Sequence, residues 1–373
     1  MLIHQGDEKG FNVNCNIGKK WKCRRILSFI LIILYMMALV GCRRQTSNPS
    51  MNTTQLKAGS ELSVHYMDVG QGDATLIVCD GRYMLIDAGE NDKGTAVQLY
   101  LMKQGVKELD YLILTHPDAD HIGGADVVIT KFDCDRILMP EFAKDSKTYR
   151  DVQEAMKYKN LRATAPQVGA TYRLGSATFT IVAPNKADYG DQTNNYSVGL
   201  LLQYGQNRFL FTGDVETEAE QDLLDNGISI QADVYKAGHH GSSTSSSLDL
   251  LKAVQPTYAV ISCGVDNSYG HPHAETLNHF RQLGIQVFRT DEQGTIIATS
   301  DGKNIIWNTA SSESWQVGEA TQASIYYIGN KNNGKLHLST CSSLPKEENQ
   351  VIFETKQEAE AAGFTDSCGN CKP

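Results

Sequence analysis

The sequence is short of basic residues once its first 57 positions are set aside. That segment carries nine of the chain's 34 Lys and Arg and two of its 43 Asp and Glu, which leaves 25 basic and 41 acidic residues in the remainder. A formal balance of −16 in the remainder opposes non-specific binding to nucleic acid. A phosphate-rich substrate would therefore need bound cations at its binding site.

The sequence also lacks any apolar run beyond Gly41 that is long enough to cross a bilayer. Its one long run, residues 26–41, follows five Lys and Arg, which predicts a secretory signal over residues 1–41. The run ends in Leu39-Val40-Gly41-Cys42, which resembles the lipobox of bacterial lipoproteins and implies cleavage before Cys42 and a lipid on its sulfur. An uncut membrane anchor is the alternative. Both interpretations place the remainder on the extracellular side of the cytoplasmic membrane.

The remaining sequence predicts one large domain and a small terminal segment. Residues 42–60 are polar and rich in Ser, Thr and Asn, as is typical of a tether. Between residues 61 and 310, many short β-type runs are interrupted by a few helical stretches, which favours stacked sheets with helices outside. Those helices are predicted at 94–104, 148–159, 217–225, 246–253 and 274–283. A linker is predicted over 311–324 and a compact segment over 325–373.

The motif HPDADH, residues 116–121, places two histidines and two aspartates directly behind the apolar run 111–114. A loop at the end of a strand can aim such side chains into a cleft, with one pair for each of two metal ions. A solvated acidic turn is the alternative for this motif taken alone. More ligand-type residues also follow apolar runs, which favours a metal site: Asp214, His239, His240, His271 and His273.

Seven motifs occur in a consistent order: MDVGQGDATLI (67–77), LIDAGE (85–90), THPDADHIGG (115–124), NNYSVGLLL (194–202), FTGD (211–214), KAGHHGS (236–242) and YGHPH (269–273). Together they resemble the metallo-β-lactamase superfamily and, more narrowly, the hydrolase domain of the ComEC competence proteins. The resemblance implies an α+β fold, a four-layer αββα sandwich, over residues 61–310.

The resemblance also implies two divalent metal ions and their ligands: His116 and Asp118 for one ion, Asp120 and His121 for the other, Asp214 as a bridge, and His239 or His240 completing the second site.

Three further roles follow from the same resemblance. Asp120 would orient the attacking water, and His271 would lie at the rim as a ligand or as a donor to the transition-state oxyanion. Asp73 and Asp87 would orient ligands from behind. Capping of a turn or helix is the alternative for these two aspartates.

Two departures from the superfamily pattern bear on the metal and the substrate. The second histidine of the usual HxHxDH motif is Asp118, and Asn194 to Ser197 stand where many members have another histidine. Oxygen ligands favour harder ions such as Mn²⁺, so zinc and manganese both remain candidates. A site with fewer histidines also speaks against β-lactam hydrolysis and favours a phosphodiester.

The terminal segment contains HLSTC (337–341) and CGNC (368–371), two close pairs of N and S ligands separated by 26 residues. This spacing predicts one structural zinc bound by His337, Cys341, Cys368 and Cys371. With YYIGNKNNGKLHLSTC and VIFETKQEAEAAGF, the segment resembles the zinc-binding module of the Ada DNA-repair protein. A disulfide between Cys368 and Cys371 is the alternative outside the cytoplasm.

These observations together predict an extracellular, lipid-anchored, dinuclear metal-dependent phosphodiester hydrolase, most plausibly a nuclease acting on DNA. The first alternative is a phosphodiesterase of the same fold acting on cell-wall or small-molecule esters. The second is a non-enzymatic surface lipoprotein that binds DNA. The expected partners are DNA or another phosphodiester and, through the lipid, the membrane; the sequence indicates no partner protein.

Overall fold

The computed structural model describes residues 61–318 and, in the terminal segment, residues 327–338, 341, 343–346, 349–353, 356–369 and 371. The predicted signal, the tether and Cys42 lie outside the described residues, as do positions 319–326. Within the described part of the chain, no helix is both long and apolar enough to cross a membrane.

The first sheet has eight strands in the order β15-β14-β1-β2-β3-β4-β5-β6. The strands β3 to β6 run parallel, and the others pair antiparallel. Both faces are buried, as in β2, where Ile77 faces one apolar cluster and Leu76 the other. The bounds are β1 Leu62–Tyr66, β2 Thr75–Cys79, β3 Arg82–Ile86, β4 Glu108–Ile113, β5 Asp133–Leu138, β6 Ala163–Thr164, β14 Ile296–Ser300 and β15 Ile305–Trp307.

The second sheet has seven strands in the order β13-β12-β11-β10-β9-β8-β7. The strands β10 to β13 run parallel, whereas β7 to β10 form an antiparallel meander. Its strands are β7 Thr171–Leu174, β8 Ala177–Ala183, β9 Gly199–Tyr204, β10 Asn207–Phe211, β11 Val234–Lys236, β12 Tyr258–Ile261 and β13 Gln286–Arg289.

An apolar core lies between the two sheets, and helices cover their outer faces. Tyr66 of the first sheet and Phe179 and Phe209 of the second are fully buried in this core, and each such side chain stabilises the fold by about 1.5–3 kcal/mol. The four layers confirm the predicted αββα fold. The helices are α1 Gly94–Lys103, α2 Ala119–Ile122, α3 Ala125–Lys131, α4 Lys147–Tyr158, α5 Thr217–Asp225, α6 Leu248–Val254, α7 Ala274–Leu283 and α8 Thr290–Gln293.

The helix α4 shows how sequence sets one of these elements. The side chain of Ser146 accepts a hydrogen bond from the backbone N–H of Tyr149, which caps the first turn. Its buried residues Thr148, Val152, Ala155 and Met156 recur at the three-to-four spacing of one helical face. That face packs on the first sheet.

Residues 311–318, which we call the strap, run back along the main domain. Ser312 donates its backbone N–H to Val287 O at 2.7 Å, and Gly318 donates to Pro272 O at 2.9 Å. The side chain of Arg289 also donates to the carbonyl of Gln316. The polar sequence predicts a linker over residues 311–324. These hydrogen bonds hold the first eight of those residues, the strap, against the main domain.

The terminal segment forms a small sheet in the order β18-β16-β17-β19 with one helix, α9. Its strands are short, and few of its apolar side chains are buried. The bounds are β16 Tyr327–Asn330, β17 Lys335–Leu338, β18 Gln350–Phe353, α9 Lys356–Ala361 and β19 Asp366–Ser367.

Candidate metal centre

The predicted ligands follow the carboxyl ends of strands in both sheets. In the first sheet Asp87 follows β3 and His116 follows β4; in the second, Asp214 follows β10 and His240 follows β11. The carboxyl ends of neighbouring parallel strands meet at one edge, which is where α/β proteins bind ligands. Loops from the two sheets therefore converge on one site.

Four side chains form the most compact part of this site. Nε2 of His121 lies 3.2 Å from Nε2 of His240 and 3.2 Å from Oδ2 of Asp214. Nε2 of His240 lies 3.1 Å from Oδ2 of Asp120 and 3.3 Å from Oδ2 of Asp214. Imidazole nitrogens and carboxylate oxygens at this spacing make a ligand set suited to zinc or manganese. The group corresponds to the predicted second ion site.

Three buried ligand-type atoms at this site have no hydrogen-bond partner. Oδ1 of Asp73 lies 3.5 Å from Nδ1 of His240, and the other two are Nε2 of His116 and Oδ1 of Asp214. The other ring nitrogen of His116 is engaged, at 3.1 Å from Oγ1 of Thr115 and 3.3 Å from Oγ of Ser197. Buried polar atoms are almost always paired, so the unpartnered atoms of His116 and Asp214 fit a further cation.

Asp118 borders the same cavity as His116 and Asp214 but is engaged with a lysine. Its Oδ1 accepts a hydrogen bond from Nζ of Lys144 at 2.7 Å. The motif gave no sign of this ion pair, because Lys144 lies 26 residues further along the chain. Asp118 must exchange this partner for an ion if it is to serve as the predicted ligand.

Of the two adjacent histidines that follow β11, His240 is the one that joins the compact group. His239 lies 3.8 Å from Asp214 through Nε2, while its Nδ1 faces Oγ1 of Thr244 at 3.2 Å and Glu216 at 3.3 Å. Both histidines have left-handed backbone angles, with φ of +48° and +54°. This turn sends their side chains to different partners, so His239 lies at the margin of the site.

Asp87 lies behind His121 and holds its ring. One oxygen of Asp87 accepts a hydrogen bond from Nδ1 of His121 at 2.8 Å. Its carboxylate also accepts from the backbone N–H and the hydroxyl of Thr115, at 2.8 and 2.7 Å. A carboxylate bound to Nδ1 leaves Nε2 of the histidine free to face a metal ion. Asp87 therefore lies where a residue that orients His121 must lie.

Asp73 lies closer to the ligands than an outer carboxylate needs to be. One of its oxygens lies within the 4.8 Å group that includes His121, Asp214 and His240. Its Oδ2 forms a buried ion pair with Nζ of Lys236 at 2.9 Å, and Oδ1 lies 3.5 Å from Nδ1 of His240. The sequence predicted no role for Lys236, although it is the first residue of KAGHHGS and directly follows the apolar residues Val234 and Tyr235.

Gly72 allows the loop that carries Asp73 to lie against the metal-binding motif. Its φ is +139°, and a Cβ there would lie 2.4 Å from the carbonyl oxygen of Asp120. The backbone N–H of Asp73 donates to that same oxygen at 3.0 Å. Only glycine fits this position, so the loop holds the backbone of Asp120 in place.

The charges at the site also fit bound cations. Burial by itself lowers the pKa of His121 and of His240, but the carboxylates, Asp214 foremost, outweigh it and raise both pKa values well above the usual range. Burial likewise opposes ionisation of Asp214, but the two histidines hold its pKa well below the usual range. Together with the unpartnered atoms and the N and O ligands, this excess of buried carboxylate fits divalent ions.

His271 lines the catalytic cavity and is bound by Gln71. This cavity has a volume of about 110 Å³ and is lined by His116, Asp118, Asp120, Asp214, His239 and His240 together with Gln71, Asn194, Tyr269 and His271. Oε1 of Gln71 accepts from the backbone N–H of Gly264 at 3.2 Å, so its amide nitrogen must be the group 3.3 Å from Nδ1 of His271. Burial, followed by the nearby histidines, lowers the pKa of His271 to about 3. The neutral ring therefore carries its proton on Nε2.

We expect Gln71→Met to release His271 from this single tautomer, because methionine offers no N–H to Nδ1. The measurement is ¹⁵N NMR of the His271 ring in metal-free protein at neutral pH. The wild type should show an unprotonated Nδ1, and the variant a mixture of both tautomers. Gln203→Met, at an exposed position of β9, is the control and should match the wild type. A protonated Nδ1 in the wild type would contradict the assignment.

The terminal segment contains a second group of ligands. The side chains of His337, Cys341, Cys368 and Cys371 approach within 4.8 Å of one another. Among the described residues, no disulfide joins Cys368 to Cys371, which was the alternative. Nε2 of His337 is buried without a partner, and the backbone N–H of Leu338 points at Sγ of Cys371 at 3.4 Å. One nitrogen and three sulfurs fit a tetrahedral zinc ion.

Comparison with known proteins identifies both parts of the chain. A family model for the metallo-beta-lactamase superfamily matches residues 67–265. The chain belongs to this superfamily. The family model for the metal-binding domain of Ada matches residues 313–373. Both resemblances noted in the sequence are thereby confirmed, and with the superfamily come a metallohydrolase fold and divalent metal ions.

Curated relatives cover the superfamily domain of this chain. ComE operon protein 3 of Bacillus subtilis is 33% identical over 257 residues, which are 64% of this chain and 33% of that protein. Competence protein ComA of Neisseria gonorrhoeae is 34% identical over 241 residues, 64% of this chain and 32% of that protein. Recombination protein 2 of Haemophilus influenzae is 32% identical over 239 residues, which are 62% of this chain and 28% of that protein. The chain spans about a third of the length of these relatives.

Proposed function

We propose that this superfamily member is an exported phosphodiesterase that cleaves DNA with the help of two divalent ions. The observation that carries the proposal is that Nε2 of His116 and Oδ1 of Asp214 are buried without partners at the site where Asp120, His121 and His240 approach one another. His116 and Asp214 would hold one cation, and Asp120, His121, Asp214 and His240 would hold the other. Two adjacent cations suit a phosphodiester, because they neutralise charge on both the attacking and the leaving oxygen.

The residues around the cavity divide the chemical work. When bound, the two ions would supply a water of lowered pKa and offset the charge on the phosphoryl oxygens. The side chain of Asp120 is 23% exposed toward the cavity and orients the attacking water. His271 donates its Nε2–H to a phosphoryl oxygen, where charge develops in the transition state. Asp87 and Gln71 hold His121 and His271 in the tautomers that these roles require.

The ligand set supports a phosphodiester rather than a β-lactam as substrate. Asp118 and Asn194 border the cavity at positions where a histidine-rich first site would carry imidazoles. Carboxylate and amide oxygens favour harder ions, so we propose that manganese serves at least as well as zinc.

The location and partners are part of the same proposal. The apolar run before Cys42 supports export and a lipid anchor, so the domain would act at the outer face of the cytoplasmic membrane. The relatives are named as a ComE operon protein, a competence protein and a recombination protein, and these names support DNA as the substrate.

A second candidate is a phosphodiesterase of the same fold that acts on smaller or cell-wall esters. The acidic balance of −16 beyond residue 57 favours it, because such a surface repels a long polyanion. The third candidate is a lipoprotein that binds DNA without cleaving it. A vestigial site would be expected to lack ligands, and this one retains Asp120, His121, Asp214 and His240.

The test is hydrolysis by the purified chain of labelled single- and double-stranded DNA, a glycerophosphodiester and bis(p-nitrophenyl) phosphate, with Mn²⁺, Zn²⁺ or a chelator. We expect metal-dependent cleavage of DNA that Asp120→Ala reduces at least ~100-fold, since a positioned catalytic group contributes roughly 10²–10⁴-fold. Asp145→Ala, at an exposed aspartate, is the matched control and should retain full activity.

The other outcomes of this test favour the second or the third candidate function. Turnover of the small esters without DNA cleavage would favour the second candidate. Folded, metal-loaded protein that turns over none of the substrates but binds DNA would support the third.

A further inference from the structure

Three large apolar side chains are exposed near the catalytic cavity. Val265 is 69% exposed, Tyr269 61% and Val317 44%, and they belong to the 264–271 loop and to the strap. Large apolar side chains that water reaches on one side of an active site indicate a surface that a ligand covers. The metal chemistry described above uses none of these three.

A second cavity lies between the 264–271 loop and the strap. It has a volume of about 580 Å³, within the range of roughly 300–1,000 Å³ typical of small-molecule sites. Val265, Trp315 and Val317 supply its apolar lining, and His271 lines both this cavity and the catalytic one. A ligand that spans His271 would therefore occupy both cavities.

Tyr269 presents a flat aromatic face at the catalytic cavity, next to His271, the residue that lines both cavities. Its ring lies nearly parallel to that of His271, with 16° between the planes and 5.6 Å between the centroids, and it also lines the catalytic cavity. The loop beneath is clamped by Asn267, whose side chain bonds the backbone of Gly264 at 2.9 Å and of His271 at 2.7 and 2.9 Å. The aromatic face is thus held in place before any ligand arrives.

The charges of the second cavity suit an uncharged ligand group. Its one arginine, Arg289, is 3% exposed and already bound by Asp291 and Glu292. The remaining charged lining residue, Asp266, is acidic. A phosphate would find no available cation there, whereas a base and its sugar carry no charge.

We propose that the second cavity and Tyr269 bind the nucleoside next to the scissile phosphate, with the base stacked on Tyr269 and the sugar between Val265 and Val317. This proposal rests on the phosphodiesterase function above and specifies its substrate as a nucleic acid or nucleotide ester. A ring face stacks on every base, so the subsite would be tolerant of sequence.

The strap closes one wall of this subsite and depends on a glycine. A Cβ on Gly318 would lie 2.1 Å from the carbonyl oxygen of His271, so any side chain there would push the strap away. Trp315 is held by Arg281, whose guanidinium lies 4.7 Å from the ring centroid. The segment that looked like a linker therefore becomes part of the substrate site.

The test is saturation-transfer NMR with thymidine and adenosine on the full chain as purified, without chelator; a nucleoside contains no phosphodiester, so the measurement involves no turnover. We expect transfer to the base protons with the wild type and with Tyr269→Phe, and loss of that transfer with Tyr269→Ala and with Val317→Asp. Tyr158→Ala, at a tyrosine that is 80% exposed on α4, should behave as the wild type. No transfer with the wild type, or transfer that persists in Tyr269→Ala, would overturn the subsite.

Kinetics extend the test to cleavage. We expect Tyr269→Ala to raise KM for a short oligonucleotide roughly 5- to 150-fold, the range of one base–aromatic stack, and to affect bis(p-nitrophenyl) phosphate much less. Equal losses on both substrates would overturn the stacking role. Nucleoside binding without any hydrolysis would instead leave the subsite standing and defeat the proposed function, so the two failures are distinguishable.

Discussion

Asp214→Asn is expected to lose both metal ions and, with them, all measurable hydrolysis. Asp214 approaches both His121 and His240 through Oδ2, and its Oδ1 is buried without a hydrogen-bond partner in the cavity that His116 also lines. The amide keeps the shape of the side chain but removes its charge, and its NH₂ cannot bind a cation. Removal of a residue that hydrogen-bonds a metal ligand lowers the affinity for the metal about 10–100-fold. Removal of a ligand shared by two ions should lower it at least ~100-fold.

The measurement is the number of ions bound per chain, counted in addition to the zinc of the terminal segment, and their affinity, by calorimetric titration of metal-free protein with Mn²⁺ and Zn²⁺. Asp118→Asn is the comparison variant. Asp118 is a predicted ligand of only one ion, so this variant should lose that ion and keep the other. Asp225→Asn, at an exposed position of α5, should keep both. Two tightly bound ions in Asp214→Asn would show that Asp214 does not bridge.

The terminal segment is expected to unfold when its zinc is removed, while the main domain stays folded. Apart from two ligand cysteines, the buried apolar side chains in its described part are only Ile328, Leu336 and Ala359, too small a core to offset the entropy of ordering the chain. Structural zinc supplies about 10–16 kcal/mol in small domains of this kind, and that energy is folding energy.

Cys368→Ser tests this expectation by limited proteolysis and zinc content. We expect the loss of one zinc per chain and rapid cleavage within 327–371, with residues 61–318 still protected. The adjacent exposed substitution Ser367→Ala should leave both readouts unchanged. A protected, zinc-free segment in Cys368→Ser would mean that the segment folds without metal.

Ligand motifs predicted much of this site because each follows a strand, and neighbouring parallel strands bring their ends together. The bounds of α5 and α7 also match the helices predicted at 217–225 and 274–283. In contrast, α3 was missed, because Val127, Val128, Ile129 and Thr130 form a β-branched run that favours a strand when read locally. It is helical because Val128 and Ile129 pack against the first sheet, a tertiary contact that local propensity does not contain.

Contacts between distant segments account for what sequence could not predict. The choice between His239 and His240 depends on two backbone angles in a turn, and the pairing of Lys144 with Asp118 joins residues from separate loops. The strap reads as a linker because its composition is polar, yet its backbone hydrogen bonds decide its position. In each case the sequence shows which residue is present but not which distant residue it contacts.

The turn at His239 and His240 places the stability of the fold in opposition to its activity. Two consecutive non-glycine residues with positive φ cost about 1–3 kcal/mol each. Glycine at either position would relieve this strain and make the protein harder to unfold, yet it would delete an imidazole from the edge or the centre of the site. Selection for thermal stability alone would therefore be expected to replace these two histidines with glycine. A sequence that keeps both histidines would be one in which metal binding is favoured over stability.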